Sequence, residues 1–242
     1  MLFHGLTNCP QQFDQFARLL HQRGENVYVP RLPYHGYRNR MTRAIGDITT
    51  VDIEQAANEA ARFGQGLGAG VNALGISLGA TMALWLAQTG GVANAVGVAP
   101  FLMIPFVPRL PGLLFMSVLQ TLPNRFLWWD PRRKEQMLPE YAYPGFWTHC
   151  LAQCTLAGSV ISAAAGHEAP AAPHCTLVIN AHDPAVNNGP ARDLVARWRG
   201  HGAPYDLAVW DDLGRVHDVI DPSTYPAAGA LVYPRLVTLL ER

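Results

Sequence analysis

Five residues, Gly75-Ile76-Ser77-Leu78-Gly79, constrain this chain more than any others. They join an apolar run at 71–76 to a run of helical character at 80–88. A strand passes into a helix over so few residues only through a very tight turn. Side chains flanking the central serine would collide there, and glycine removes their Cβ atoms. The same turn lifts the Ser77 hydroxyl off the sheet edge. It also leaves the Leu78 amide as a fixed donor at a helix N-terminus. Glycine is abundant here, 22 of 242 residues, so the pattern alone is weak. The strand before it and the helix after it give it weight.

The rest of the composition sets bounds. A chain of 242 residues suits one large domain with a buried core. With 18 basic and 18 acidic residues, no electrostatic reason exists to expect nucleic acid or acidic lipid as a partner. Lys134 is the one lysine and lies in a charged run at 132–135, which argues against Schiff-base or Ser-Lys chemistry. Cys150 and Cys154 are one helical turn apart beside His149, but no third and fourth ligand can be located. The four cysteines therefore read as buried free thiols, and neither metal nor other cofactor is expected. The N-terminus has no basic and apolar leader pattern, and no run reaches the ~20 apolar residues of a membrane span. A cytoplasmic location is the resulting expectation.

Several further motifs stand in order around the serine. His4-Gly5-Leu6 follows three residues at the start, and Leu32-Pro33-Tyr34-His35-Gly36 forms a loop after an extended stretch at 26–30. Asn180-Ala181-His182-Asp183-Pro184-Ala185-Val186 follows an apolar run at 175–181. Leu213-Gly214-Arg215-Val216-His217-Asp218-Val219 lies after the last strand-like run, 205–210, and before the last helix-like run, 225–240. With the glycine-flanked serine, these motifs resemble the α/β-hydrolase superfamily, in particular small bacterial carboxylesterases and monoacylglycerol-lipase-like serine hydrolases. Alternation of strands with helices at 8–24, 53–63, 80–88, 148–165 and 190–199 agrees with a mostly parallel sheet covered on both faces. Such enzymes carry a fuller strand before His-Gly and further strands earlier, so a truncated N-terminal edge is expected. The final helix should be bent or irregular at Pro234.

The resemblance implies roles for particular residues. Ser77 would be the nucleophile, His217 the general base and acid, and Asp183 the acid that orients it. The amides of Leu6 and Leu78 would hold the oxyanion. His35 would tie down its loop, in which Tyr34 replaces the glycine of similar hydrolases. His182 is the closest rival base, since it adjoins Asp183. Asp193 and Asp206 lie within elements, and Asp211 and Asp212 are second choices for the acid.

The alternation breaks at 101–146, which separates the core segments 1–100 and 147–242 and holds seven prolines and many aromatic residues. Similar enzymes place a helical lid there. An apolar patch of that size would not be left facing water, so Phe101, Leu102, Met103, Phe106, Phe115, Trp128 and Trp129 are expected to line an acyl channel. The resulting expectation is hydrolysis of small-molecule carboxylic esters with apolar acyl groups through an acyl-enzyme, with transient lipid-surface contact at most. A carbon–carbon bond hydrolase or acyltransferase would use the same triad. A non-catalytic ligand-binding protein would not need all three residues. Serine at the elbow excludes epoxide hydrolases and dehalogenases, which carry aspartate there.

Overall fold

A computed structural model describes residues 1–104, 109–137 and 139–242. In chain order the elements are β1 (Leu2–Phe3), α1 (Asp14–Gln22), α2 (Thr50–Gln65), β2 (Asn72–Ile76), α3 (Leu78–Thr89) and β3 (Asn94–Val98). After these come α4 (Arg109–Thr121), β4 (Phe126–Trp128), β5 (Gly145–Trp147), α5 (Thr148–Ala164), β6 (His174–Asn180), α6 (Asn188–Gly200), β7 (Asp206–Trp210) and α7 (Tyr233–Leu240). β1, β2, β3, β6 and β7 form one sheet in that order, every pair parallel. The middle strands β2, β3 and β6 are almost wholly buried, which is why they read as continuous apolar runs without alternation.

Helices cover the sheet on both faces. α1 and α7 meet through Phe16 and Tyr233, whose rings lie 5.0 Å apart. On the other face α3 packs against β2, β3, α2 and α5, and Trp198 of α6 donates to Gln88 of α3 at 2.6 Å. α2 starts a turn earlier than its apolar spacing suggests. Thr49 and Asp52 form a reciprocal capping box that satisfies two amides at its N-terminus. Among the described residues no helix is long and apolar enough to cross a membrane.

Three sequence expectations change. Residues 26–30 are not a strand: Leu2 N donates to Tyr28 O at 2.9 Å, but no ladder follows. Pro30 has no N–H to give, and Asn26 spends its side chain on the Leu67 carbonyl. Consequently β1 stands at the edge of the assigned sheet. The last helix is irregular before Pro234 rather than at it, with a π turn at Ala228–Val232 leading into α7. Among the described residues the segment between β3 and α5 holds α4, packed on α5, a short 3-10 turn at Lys134–Gln136 and a small antiparallel pair, β4 with β5.

Candidate active site

The elbow is as tight as its glycines require. A Cβ on Gly75 would lie 2.0 Å from the Gly79 carbonyl oxygen, and one on Gly79 would lie 1.9 Å from the carbonyl oxygen of Phe3. Ser77 itself takes φ 56° and ψ −116°, a conformation that L-residues rarely adopt. It is held from both sides: its amide donates to Val98 O at 3.0 Å, and its carbonyl accepts from Phe101 N at 3.2 Å and from Thr81 N at 3.1 Å. The contacts at Gly79 are with backbone and cannot be relieved by a rotamer change. Gly79→Ala is therefore expected to cost about 3 kcal/mol, the upper end of ordinary overpacking, and to lower Tm by roughly 6 °C or more. A melting temperature within ~1 °C of wild type would show that the β1–α3 contact opens freely.

His217 and Asp183 meet although 34 residues apart in the chain. His217 Nδ1 lies 2.8 Å from Asp183 Oδ2, and the Asp183 side chain is completely buried. The other oxygen of Asp183 accepts the amides of Ala185 at 2.8 Å and Val186 at 3.2 Å. A buried carboxylate is costly without partners, and this one has three. Its rivals are spent elsewhere. Asp212 pairs with Arg235, Asp206 with Arg242, and Asp211 is exposed. His182 is exposed as well.

Ser77 and His217 line one cavity of about 490 Å³, together with Leu6 and Leu78. Among the described residues neither the Leu6 nor the Leu78 amide donates to a protein acceptor. Gly5 backs directly onto the serine, since a Cβ built there would lie 3.7 Å from Ser77 Cβ. The peptide that carries the Leu6 amide is held by its carbonyl: Gly5 O accepts from Asn8 N at 3.1 Å and faces His4 Nδ1 at 2.9 Å. Burial holds the fully enclosed His4 well below the usual histidine range. The neutral ring then donates from Nδ1 and accepts the Leu32 amide at Nε2, 3.3 Å away. His35 bonds the carbonyls of Pro33 and Leu6, so it does fasten its loop; burial lowers its pKa while the two carbonyls pull the other way.

The residues expected along an acyl channel divide. Phe101 and Trp129 line the cavity, with Met137, Pro139, Ala142 and Tyr143. Leu102 and Met103 do not: both are buried in the core, and the Leu102 backbone lies so close to Gly158 that a Cβ there would be 2.5 Å from its Cα. Phe115 is exposed, and Trp128 packs edge-on against Phe126, 4.9 Å between ring centres. Phe106 lies outside the described residues.

Three side chains that sequence reasoning passed over shape the site. Asn180 at the end of β6 donates to Gly214 O at 2.9 Å and Val216 O at 2.7 Å, fixing the loop that carries His217. Arg40 bonds the carbonyls of Glu135, Met137, Pro139 and Ala142, so one guanidinium gathers a whole wall of the cavity. Gln12 links the loop after β1 to Asp218. The cysteines are free and buried, and burial pushes the Cys150 thiol up to about 12.

Leu6, Ser77, Phe101, Asp183 and His217 each follow the C-terminal end of a strand of the parallel sheet, the site plan of α/β proteins whose ligand crevice opens at that edge. The sequence model of the alpha/beta hydrolase family matches residues 1–230, and the chain belongs to that family. No curated protein matches it in sequence. Among solved structures, it is similar to one reported for LipS and LipT, two metagenome-derived lipolytic enzymes. That likeness has a TM-score of 0.74 at 17% identity, over 100% of this chain and 92% of the other. A monoacylglycerol lipase of Paleococcus ferrophilus superposes with a TM-score of 0.70 at 19% identity, over 98% and 93% of the two chains. A monoglyceride lipase of Saccharomyces cerevisiae, solved with a substrate analog, gives 0.73 at 13% identity, over 99% and 85%.

Proposed function

We propose that this chain is a serine hydrolase of carboxylic esters with apolar acyl groups, acting through an acyl-enzyme. Ser77 attacks the ester carbonyl, and His217 takes its proton and later returns it to the departing alcohol. Asp183 keeps the ring in the tautomer that can accept. The Leu6 and Leu78 amides receive the charge that develops on the carbonyl oxygen. The observation that carries this reading is the 2.8 Å contact between His217 and a fully buried Asp183 beside the cavity that the strained serine enters. The structural likeness to lipolytic enzymes agrees with it. Residues 101–146 act in this reading as a lid over the cavity, with Phe101 and Trp129 against the acyl chain. The substrate is a small molecule, and contact with a lipid surface is transient.

The test is a series of p-nitrophenyl esters of increasing acyl length. Each methylene buried against that apolar wall contributes up to ~0.8 kcal/mol, at most about fourfold in kcat/KM. The value should climb with length until the cavity is full, then fall, and Trp129→Ala should move the maximum to longer or bulkier chains. A flat profile, unmoved by that substitution, would make the segment scaffold only. One observation favours a second reading. Arg215 lines the cavity, is exposed, and has no ion-pair partner among the described residues. A carbon–carbon bond hydrolase acting on a substrate with its own carboxylate would use such a cation. Turnover of diketone acids faster than of simple esters would establish that alternative.

A further inference from the structure

Gln12 is buried, and its side-chain amide is pinned at both ends. Its Oε1 accepts the Gly5 amide at 2.8 Å, and its Nε2 donates to Asp218 Oδ2 at 2.7 Å. The backbone N–H requires an oxygen and the carboxylate requires a donor, so the amide has one allowed orientation. Asn8 Nδ2 adds a second donor to the same carboxylate oxygen at 3.2 Å. The other oxygen of Asp218 takes the amides of Ile220 and Asp221 at 3.2 Å and 3.1 Å. One chain of hydrogen bonds thus joins two loops whose linked residues are 206 positions apart. Gly5 directly precedes Leu6, and Asp218 directly follows His217.

We propose that Gln12 and Asp218 are positioning residues that hold the Leu6 amide and the His217 ring in one fixed mutual geometry. The inference rests on the esterase reading and deepens it. The oxyanion donor and the proton carrier must serve the same carbonyl in the same transition state, where small displacements are expensive. Apolar side chains would fill this space at lower desolvation cost. They would not fix the rotation of the Gly5 peptide, however, and a strap with one allowed amide orientation does. Burial raises the Asp218 pKa against the pull of the Gln12 and Asp221 amides, so the carboxylate sits there at a cost that its four donors offset only in part.

The test reverses the polarity of the strap. Gln12→Met keeps length and removes both polar ends. Asp218→Asn sets an amide donor against the donor of Gln12. Each should lower kcat per titrated active site by about tenfold or more, short of the ~10²–10³ for losing an oxyanion donor outright, with KM within about twofold. In the double variant Gln12→Glu/Asp218→Asn, the carboxylate at position 12 accepts both the Gly5 amide and the new amide at position 218. It should recover most of kcat, one Asn8 contact short of wild type. Packing or stability alone predicts no such recovery. Titration with a fluorophosphonate counts only competent sites, so partial misfolding does not imitate the loss. Should Asp218→Asn fail to fold, Gln12→Met against wild type decides. Single variants within about twofold of wild type, or a double variant no better than Asp218→Asn, overturn the proposal. A wild type that neither labels at Ser77 nor turns over an ester overturns the esterase reading and this inference with it.

Discussion

Ser77→Ala is expected to abolish fluorophosphonate labelling and to lower kcat by about 10⁶, the scale seen when a nucleophilic serine is removed from a comparable triad. The substitution is unusually clean here. Ser77 already carries its Cβ at φ 56°, and alanine places the same atom in the same strained position. The backbone bonds that hold the elbow, to Val98, Phe101 and Thr81, do not involve the hydroxyl. Tm should therefore stay within about 1 °C while the chemistry disappears. On the proposed oxyanion role of the Leu6 and Leu78 amides, which the substitution leaves in place, a residual rate above water should persist. Intact-protein mass spectrometry of wild type and variant reads the result directly. Labelling that survives the substitution would remove Ser77 from the nucleophile's role, and with it the esterase reading.

Sequence alone located the elbow because its chemistry is local. Two glycines, the strand and the helix are contiguous, and each carries its own signal. Asp183 and His217 were legible through their place in the chain order, which the fold turns into a contact. Gln12, Asn180 and Arg40 were not. The partners that matter to the site lie 34 to 206 residues away, and polar side chains on loops follow no period that would announce a pairing. Tyr34 was noticed as a departure from glycine, and the structure gives the reason such a departure matters. It sits at φ 62°, where glycine is normally required, and the bonds made by His35 on either side of its ring hold the loop in place. Leu102 and Met103 were expected along the channel because the whole segment is apolar. Apolarity states that a side chain is buried, and does not state against which surface; both lie in the core, Leu102 with its backbone against Gly158 of α5.

Asp183→Asn should leave the fold intact and lower kcat by about 10⁴, the size of the corresponding loss in a serine protease triad. The mechanism follows from the hydrogen bonds at this carboxylate. One of its oxygens is committed to the amides of Ala185 and Val186, which can only donate. An asparagine must therefore turn its own oxygen toward them, and its NH₂ then faces His217 Nδ1. That nitrogen is forced to accept, so the ring proton moves to Nε2, the atom that should take the proton of Ser77. The site keeps its shape and holds the wrong tautomer. Substrate binding does not depend on that proton, so KM should change little while kcat collapses. Asp212→Asn is the control, because that residue pairs with Arg235 at the surface, and it should leave kcat within about twofold. A loss under tenfold for Asp183→Asn, with full activity per titrated site, would mean that another acid orients the base. The exposed Asp211 would be the next residue to test.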